Sequence, residues 1–275
     1  MTYKTLLVHI DDSRKSHERV SFALDLALKY DACLIGLYVV CQDLFRPLLK
    51  GDESLVPAAL EAQHAERANR AHDRFITAAE QAGCSFEWRA PPGPALDEAV
   101  LHARHADLVI LGQEDPDDQD SYVARDFVED MVMNVGRPVI VLPYAGHVAT
   151  FGENIVVAWD GSREAARALA DSIPILKRAR FVTVCTVEKY PDREAPAGFD
   201  VAGYLERHGV RAAFKSIPRI SGVGTGETLL NQVSDTHADL LVMGAYAHAR
   251  ARERVLGGVT HALLRTMTVP VLMSH

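Results

Sequence analysis

Cysteine and tryptophan are scarce in this sequence. Its 275 residues include 4 cysteines and 2 tryptophans. The cysteines stand far apart, at positions 33, 41, 84 and 185, so they form no Cys-x-x-Cys metal or redox motif. We expect free thiols, mostly buried, as in proteins of the reducing cytosol.

Long apolar runs are also missing. No run reaches the roughly 18 residues that a membrane span needs. The first residues lack the basic start, apolar stretch and small-residue cleavage site of a signal peptide. Together with the free thiols, these absences predict a cytoplasmic protein with no membrane partner.

Basic residues are too few in the first half of the chain for a nucleic-acid-binding protein. The net charge is −8; residues 1–149 hold 14 basic and 24 acidic side chains, and residues 150–275 hold 15 and 13. Binding along nucleic acid depends on a basic surface, so we exclude that partner. A single small nucleotide stays compatible with this charge. The content of 48% hydrophobic and 24% charged residues is that of a chain with packed cores.

An internal repeat is the most informative feature that is present. The segment His105–Gly112, which reads His-Ala-Asp-Leu-Val-Ile-Leu-Gly, returns at His237–Gly244 as His-Ala-Asp-Leu-Leu-Val-Met-Gly. The same spacing carries a Pro-Val pair at 138–139 onto another at 270–271. A chain of this length usually forms about two domains. The repeat therefore predicts two copies of one domain.

Each copy shows apolar strand patterns that alternate with helical spacing, which predicts a parallel sheet covered by helices. The expected fold class is α/β, with two tandem open, five-stranded parallel, Rossmann-like sheets over residues 1–146 and 152–275. The first copy is longer, and we place its additional residues within 43–65. Ser13 or Asp12 is expected to cap the first helix, because a short oxygen side chain satisfies free backbone N–H groups.

The expected ligand position follows from this architecture. In open parallel sheets, small molecules bind beyond the carboxyl ends of the strands, where the strand order reverses. In both copies the first strand ends at an acidic residue, Asp11 or Asp160, and the fourth ends at a glycine, Gly112 or Gly244. Glycine permits a close backbone approach or a positive φ.

The loop after the fourth strand differs in charge between the copies. In the first copy, residues 113–125 contain five acidic side chains and one arginine, a run that we expect to be solvated rather than to bind metal. In the second, residues 245–257 contain Arg250, Arg252 and Arg254 against one glutamate. Arginines and helix N-termini attract phosphate, so only the second loop suits an anion. An ordinary solvated loop before a Gly-Gly helix start explains the same residues, and both interpretations stay open.

These features resemble the universal stress protein family. Its nucleotide-binding members carry a glycine, two residues, a second glycine, nine residues, and then glycine followed by Ser or Thr. Gly244 and Gly257 match the first and third glycines, whereas Ala247 and Gly258 stand at the second glycine and at the Ser/Thr position. The Asp-Gly-Ser at 160–162 also resembles the end of the family's first strand. The resemblance covers both copies and implies the adenine nucleotide alpha hydrolase-like fold.

The resemblance implies that the second copy binds ATP or a related adenine nucleotide, with or without Mg²⁺, as a sensor or regulator in a stress response. The first copy, with Asp115, Arg125 and Asp126 at the matching positions, is not expected to hold phosphate. A methyl at Ala247 and a missing hydroxyl at Gly258 should weaken binding, the latter by ~1 kcal/mol. The implied nucleotide-binding residues are Asp160, Val187, Met243, Gly244, Ala247, Arg250, Arg252, Gly257, Gly258, Val259 and Thr260.

A second class of function stays open: an interaction module that binds an unidentified protein partner through its paired domains and binds no nucleotide. No residue stands out as a catalytic base, so we predict no enzyme, or at most a slow ATPase, and no metal centre. The resemblance also implies that the fifth strands, Pro138–Leu142 and Pro270–Met273, pair within the chain, and it leaves surface for a homodimer. Gly222–Gly226 is expected to be a turn with Thr225 capping the next helix.

Overall fold

The computed structural model describes residues 2–41, 56–118, 126–188, 198–246 and 258–275. The chain divides into two compact units, Thr2–Arg137 and Pro138–His275. The elements of the first unit are β1 (Thr5–Ile10), α1 (Ser16–Tyr30), β2 (Cys33–Tyr38), α2 (Val56–Ala82), β3 (Phe86–Arg89), α3 (Ala95–Ala103), β4 (Leu108–Gly112) and α4 (Phe127–Asn134). The elements of the second unit are β5 (Val139–Leu142), β6 (Asn154–Ala158), α5 (Arg163–Leu176), β7 (Phe181–Val187), α6 (Gly198–Arg207), β8 (Ala213–Ile217), α7 (Thr225–Asp235), β9 (Leu240–Gly244), α8 (Val259–Thr266) and β10 (Val271–Ser274).

Both units contain the predicted parallel sheet. In the first unit the strand order is β3-β2-β1-β4, with every described pair parallel. In the second unit the order is β5-β10-β9-β6-β7-β8, and the strands from β10 to β8 are parallel. Helices connect successive parallel strands, as such crossovers require. The predicted α/β fold class is confirmed.

The predicted pairing of the two fifth strands is also confirmed. Strands β5 and β10 run antiparallel, with Val141 opposite Val271 and Val139 opposite Met273. This pairing groups β5 with the second compact unit. The predicted domain limits, 1–146 and 152–275, stay a prediction. They follow the sequence repeat, whereas the compact units are defined by which residues pack together.

The core follows from strands that are apolar on both faces, the pattern of a sheet covered on both sides. Residues 6–10 of β1 and 34–38 of β2 are buried throughout. Helix α5 instead buries one stripe that includes Ala165, Ala168 and Leu169, with the spacing of an amphipathic helix. The predicted limits of α5 and β7 match the structure. The predicted start of α4 at residue 123 lies outside the described residues.

Two predicted helix caps are wrong. Helix α1 begins at Ser16 after Lys15, and no side chain caps it; the Ser13 hydroxyl instead donates to Asp11 Oδ1 at 2.5 Å. Helix α7 has Gly224 as its N-cap residue, so Thr225 is the first helical residue and not the cap. The first error has a local cause, because the carboxylate of Asp11, two residues earlier in the chain, accepts a hydrogen bond from the hydroxyl that was expected to cap the helix.

All four cysteines are free thiols, as predicted. Cys84 and Cys185 are buried, while Cys33 and Cys41 are partly exposed. Burial raises the pKa of Cys185 to about 11, which keeps that thiol protonated at neutral pH. Across the described ranges, no helix combines the length and the apolar character of a membrane span.

Candidate functional site

The ends of three neighbouring strands form the candidate site of the second unit. Strand β6 lies between β9 and β7, so the chain leaves β6 towards β7 on one side and returns in β9 on the other. This is the reversal of strand order at which parallel sheets bind small molecules. Asp160 follows β6, Val187 ends β7, and Met243 and Gly244 end β9. Four of the predicted residues therefore stand at the same edge of one sheet.

A tight turn presents Asp160 to solvent. Gly161 has a φ of +75°, a conformation that glycine adopts without strain. Asp160 Oδ1 accepts a hydrogen bond from the Ser162 backbone N–H at 3.0 Å, and the side chain is exposed. Ser162 Oγ accepts from the Ala165 N–H at 3.1 Å and so caps α5. The turn fixes the carboxylate without burying it.

Gly244 is required by packing against α5. A β-carbon at this position would clash with the backbone nitrogen of Ala165 and would lie 2.5 Å from the carbonyl carbon of Glu164. The φ of Gly244 is not in the left-handed region. The close approach that the sequence predicts at this glycine is therefore made to a helix of the same unit.

The start of α8 has no side-chain cap among the described residues. Gly258 is the N-cap residue in an extended conformation (φ −84°, ψ 166°), and no side chain caps the helix. Thr260 is buried, and its Oγ1 accepts from the Tyr246 N–H at 3.2 Å, which fastens the helix start to the end of β9. The first turn of α8 carries no acidic side chain. Gly258, Val259 and Thr260 thus bring N–H groups close to Gly244, a favourable arrangement for an anion.

Several charged groups beside this edge were not predicted from the sequence. Arg163 donates from Nη2 to the buried Glu164 Oε1 at 2.7 Å. Desolvation acts to raise the pKa of Glu164, but hydrogen bonds from its own backbone N–H and from Arg163 outweigh it and leave the pKa below the ordinary value. Arg167 Nη1 donates to the His275 carbonyl at 2.8 Å, and His275 Nδ1 lies 3.0 Å from the Ala245 carbonyl oxygen. No local spacing signals the two contacts of His275, because they join residues 108 and 30 positions apart.

The corresponding edge of the first unit is filled by its own side chains. Arg19 Nη2 donates to Asp11 Oδ1 at 2.7 Å, and Arg19 Nε donates to the His9 carbonyl at 2.7 Å. Both side chains are about 5% exposed. Arg19 Nη1 occupies the space in front of Gly112, where a β-carbon would clash with it. An internal cation therefore stands beside the glycine that ends β4.

His9 completes this buried cluster. Its Nε2 donates to the Val39 carbonyl at 3.0 Å, its ring packs on Phe127 with centroids 4.8 Å apart, and Nδ1 lies 3.7 Å from Asp11 Oδ2. Burial lowers the pKa of His9 to about 4, so the ring is neutral at pH 7. Burial acts to raise the pKa of Asp11, but Arg19, His9 and the Ser13 hydrogen bond together outweigh burial and leave that pKa below its usual value. The carboxylate is thus charged and paired with Arg19.

The helix after β4 adds negative charge in the first unit. Asp126 is the N-cap residue of α4, and Glu129 and Asp130 lie in the first turn. Burial raises the pKa of Asp130, and the neighbouring carboxylates of Asp126 and Glu129 raise it further. A phosphate at the start of α4 would be repelled by these carboxylates, whereas the first turn of α8 has no acidic side chain.

One side chain of the predicted solvated acidic loop is buried. Asp118 Oδ2 accepts from the Arg14 backbone N–H at 2.7 Å, and the residue is 6% exposed. That carboxylate holds the β1–α1 loop, so the prediction is wrong for Asp118. Within the described part of the chain, no group of three His, Cys, Asp or Glu side chains could hold a metal ion.

Comparison with known proteins assigns the chain to a family. The sequence profile of the universal stress protein family matches residues 2–143 and 152–275. The chain belongs to this family. The resemblance stated from the sequence is therefore confirmed over both copies.

Individual relatives agree with this assignment. A universal stress protein of Synechocystis sp. is 27% identical over 153 residues, which are 53% of this chain and 49% of that protein, so the match spans about half the length of that relative. A universal stress protein of Archaeoglobus fulgidus has a similar fold, with a TM-score of 0.74 at 16% identity over 98% of this chain and 95% of the other. A Pseudomonas aeruginosa protein of unknown function gives a TM-score of 0.59 at 15% identity, over 99% and 92%.

Part of the family's glycine motif lies outside the described residues of this universal stress protein, namely Ala247, Arg250, Arg252 and Gly257. The described part of the motif consists of Gly244 at one end and Gly258, Val259 and Thr260 at the other. The hydrogen bond from Tyr246 to Thr260 joins these two ends.

The sequence did contain a signal for the filled first copy. The β1 and β6 termini align at a spacing of 149 residues, which pairs Asp11 with Asp160, His9 with Ala158, and Arg19 with Ala168. An arginine on the otherwise apolar face of α1 has only a methyl group as its counterpart. This difference was readable from the repeat, although the position of its guanidinium was not.

Proposed function

We propose that this universal stress protein binds an adenine nucleotide, ATP first of all, in its second copy and acts as a sensor or regulator. The observation that carries the proposal is the contrast between the two copies at one aligned position. Arg19 pairs with a buried Asp11, whereas Ala168 leaves Asp160 exposed. The second copy therefore offers an exposed carboxylate and a helix start that no described side chain caps.

The proposed contacts divide by chemistry. Asp160 would accept hydrogen bonds from the ribose or adenine side, and backbone at Val187 would bracket the base. Met243 and Gly244 would border the phosphates, which would accept N–H bonds from the start of α8 at Gly258, Val259 and Thr260. From the sequence we add Ala247, Arg250, Arg252 and Gly257 to the phosphate side. Since the described side chains provide no metal cluster, Mg²⁺ would arrive with the phosphates.

One nucleotide per chain is expected. In the first copy a phosphate at Gly112 would have to displace Arg19, which would leave the Asp11 carboxylate buried without its partner. It would also face Asp126 and Glu129 at the start of α4. At an effective dielectric constant near 20, like charges ~4 Å apart repel by about 4 kcal/mol.

Isothermal titration of the full chain with ATP and Mg²⁺ tests the proposal. We expect a single site per chain and a loss of about 10-fold in affinity for Asp160→Ala, the size of one hydrogen bond to a charged group. Glu206→Ala is the control, because Glu206 is an exposed carboxylate of the same unit on α6. GTP in place of ATP measures the preference for adenine.

Nucleotide that co-purifies with freshly prepared protein, detected at 260 nm, would give independent support. Two sites per chain, or equal binding by the Asp160→Ala variant, would contradict the proposal. Phosphate release that exceeds the background of a Gly257→Val variant would extend it to a slow ATPase. We expect none, because no catalytic base is apparent.

The alternative is an interaction module that binds a protein partner and no nucleotide. The observation that favours it is the first copy, whose strand ends are filled by His9, Asp11 and Arg19 and cannot serve a ligand without rearrangement. Ala247 and Gly258 depart from the family motif, and both departures should weaken nucleotide binding, which also favours this alternative. No heat change at millimolar ATP, together with no co-purified nucleotide, would leave this function as the better account.

A further inference from the structure

A groove of about 570 Å³ lies between α1 and α2 in the first unit. Its size falls in the range of small-molecule sites, roughly 300–1,000 Å³. The groove follows the helices from the β1–α1 loop down to Gln81 and Ala82 at the end of α2. It belongs to the copy of the chain that the proposed nucleotide site does not use.

The floor of the groove is apolar and held in place. Val20 and Leu24 on α1 face Phe75 on α2, and all three side chains are less than 10% exposed. Phe75 packs edge-on against Phe86 at 5.9 Å and tilted against Trp88 at 5.6 Å between ring centroids. These ring contacts fix Phe75, so the floor exists before a ligand binds.

Two arginines line the α2 side. Arg70 and Arg74 are one helical turn apart, and both are exposed. Arg70 pairs with Glu66 at 3.1 Å, but both side chains are more than half exposed, and such pairs contribute little. Among the residues that the structure describes, Arg74 has no ion-pair partner. Guanidinium groups in this arrangement suit a carboxylate, which they bind through two parallel hydrogen bonds.

The carboxylates of the groove are mostly neutralised by residues outside it. Asp11 is paired with Arg19 at 2.7 Å, and Asp12 accepts from Arg67 at 3.1 Å. Neither arginine lines the groove. Asp25 is the remaining acidic residue of the lining, and the lining also contains three basic residues, Arg14, Arg70 and Arg74. The charge that a ligand would meet is therefore positive.

The groove has a long helix as one wall. Its α2 wall belongs to a helix of 27 residues, whereas the corresponding α6 has 10. Gln81 and Ala82 lie at the far end of that long helix. The described part of α6 provides a shorter helix in the second copy.

From these contacts we propose that the α1–α2 groove binds a small amphipathic carboxylate. The apolar body packs on Val20, Leu24 and Phe75, and the carboxylate pairs with Arg70 and Arg74. This inference is independent of nucleotide binding in the second copy.

Decanoate is a suitable probe, with titration calorimetry of the full chain as the measurement. A second readout is the fluorescence of Trp88, isolated by Trp159→Phe, since Trp88 contacts Phe75. We expect saturable binding of one decanoate per chain. The double variant Arg70→Gln/Arg74→Gln should bind decanoate about 10-fold more weakly, because it lacks the guanidinium donors of the charged hydrogen bond. The wild-type protein should bind 1-decanol with a similar loss of affinity, because the alcohol lacks the carboxylate acceptor.

Matched variants distinguish binding in the groove from effects of bulk or charge elsewhere on the protein. Ala78→Trp fills the groove and should abolish binding, whereas Thr77→Trp places the same side chain at an exposed α2 position outside the lining. Arg104→Gln removes an exposed arginine elsewhere in the unit and is the charge control. Circular dichroism melts establish that each variant folds. If Ala78→Trp does not fold, the exposed arginine variants still decide the question.

Three results would overturn the inference. These are no saturable binding at millimolar decanoate, equal binding by the double arginine variant, and displacement of decanoate by ATP. The last result would assign the probe to a nucleotide site. If ATP does not bind at all, the proposed nucleotide function is wrong, but the decanoate result is unaffected. The failure of nucleotide binding and the failure of decanoate binding are therefore distinguishable.

Discussion

Arg19 and Asp11 form a buried ion pair, with 2.7 Å between Nη2 and Oδ1, at the strand ends of the first copy. The aligned pair in the second copy is Ala168 and Asp160, and there the carboxylate is exposed. The same acidic residue therefore has a structural role in one copy and remains available to a ligand in the other. This difference explains why we propose one nucleotide site per chain.

The two aspartates should respond differently to the same substitution. Asp11→Asn leaves the Arg19 guanidinium buried without a counter-charge, and breaking such a pair costs about 3–5 kcal/mol. Asp160→Asn should change stability by no more than about 0.5 kcal/mol, as is usual at exposed sites. Urea unfolding of both variants at pH 7 measures the difference. Equal destabilisation would contradict the assigned roles.

Acid should weaken the first unit through His9. The pKa of His9 is about 4 in the folded protein and roughly 6.5 when unfolded, so the unfolded state takes up the proton first as the pH falls. The contribution of His9 to the free energy of unfolding is complete above pH ~6.5. It should fall by about 1 kcal/mol between pH 7 and 5.5. Asp11, whose folded pKa is lowered, adds a loss only below its unfolded pKa of about 4.

Urea unfolding of wild-type protein and His9→Gln at pH 7 and 5.5 tests this dependence. Glutamine keeps a donor for the Val39 carbonyl but does not titrate, so the variant should lose less stability on acidification. His17→Gln, at an exposed position of the same unit, should behave as wild type. A wild-type slope in His9→Gln would exclude His9 as its origin.

Gly244→Ala should destabilise the second unit. Its methyl group would clash with the backbone at the start of α5, which cannot move as a side-chain end can, and overpacking of this kind costs about 1–3 kcal/mol. Thermal unfolding measures the loss. Gly203→Ala on α6 is the control, because its added methyl group would make an ordinary 3.6 Å contact with the end of the Arg207 side chain and alanine suits a helix. Unchanged stability of Gly244→Ala would refute the tight contact.

Gly258→Ser should stabilise α8 and strengthen nucleotide binding. No described atom lies within 4 Å of a β-carbon at Gly258, and the backbone has the extended conformation of an N-cap residue. At such a position serine stabilises a helix more than glycine does, by roughly a few tenths of a kcal/mol. The hydroxyl also restores the Ser/Thr of the family motif, for up to about 10-fold in ATP affinity. Gly258→Ala, which adds a methyl without the hydroxyl, should not tighten binding. Calorimetry on both variants compares them.

The order of the elements was predictable because it depends on local patterns and on the repeat. Apolar runs of strand length placed β1, β5 and β7 within their observed limits. The repeated Pro-Val segments indicated equivalent fifth strands, and the family resemblance predicted that they pair; the structure gave the register, with Val141 opposite Val271. The acidic and basic loops were distinguished by composition alone, although burial of Asp118 was missed.

What the sequence by itself determined is the duplicated α/β fold and its family, and it placed Asp160 and Gly244 at the carboxyl ends of strands, the edge that we propose for a ligand. Tertiary structure decided how each side chain at that edge is used. Ser13 fails as a cap because Asp11 engages its hydroxyl, and Gly244 is required because α5 approaches it. Arg19 fills the first copy because its guanidinium reaches the space beside Gly112. Local patterns reflect the period of a strand or helix, whereas the outcomes at Gly244 and Arg19 depend on distances between residues that only packing brings together.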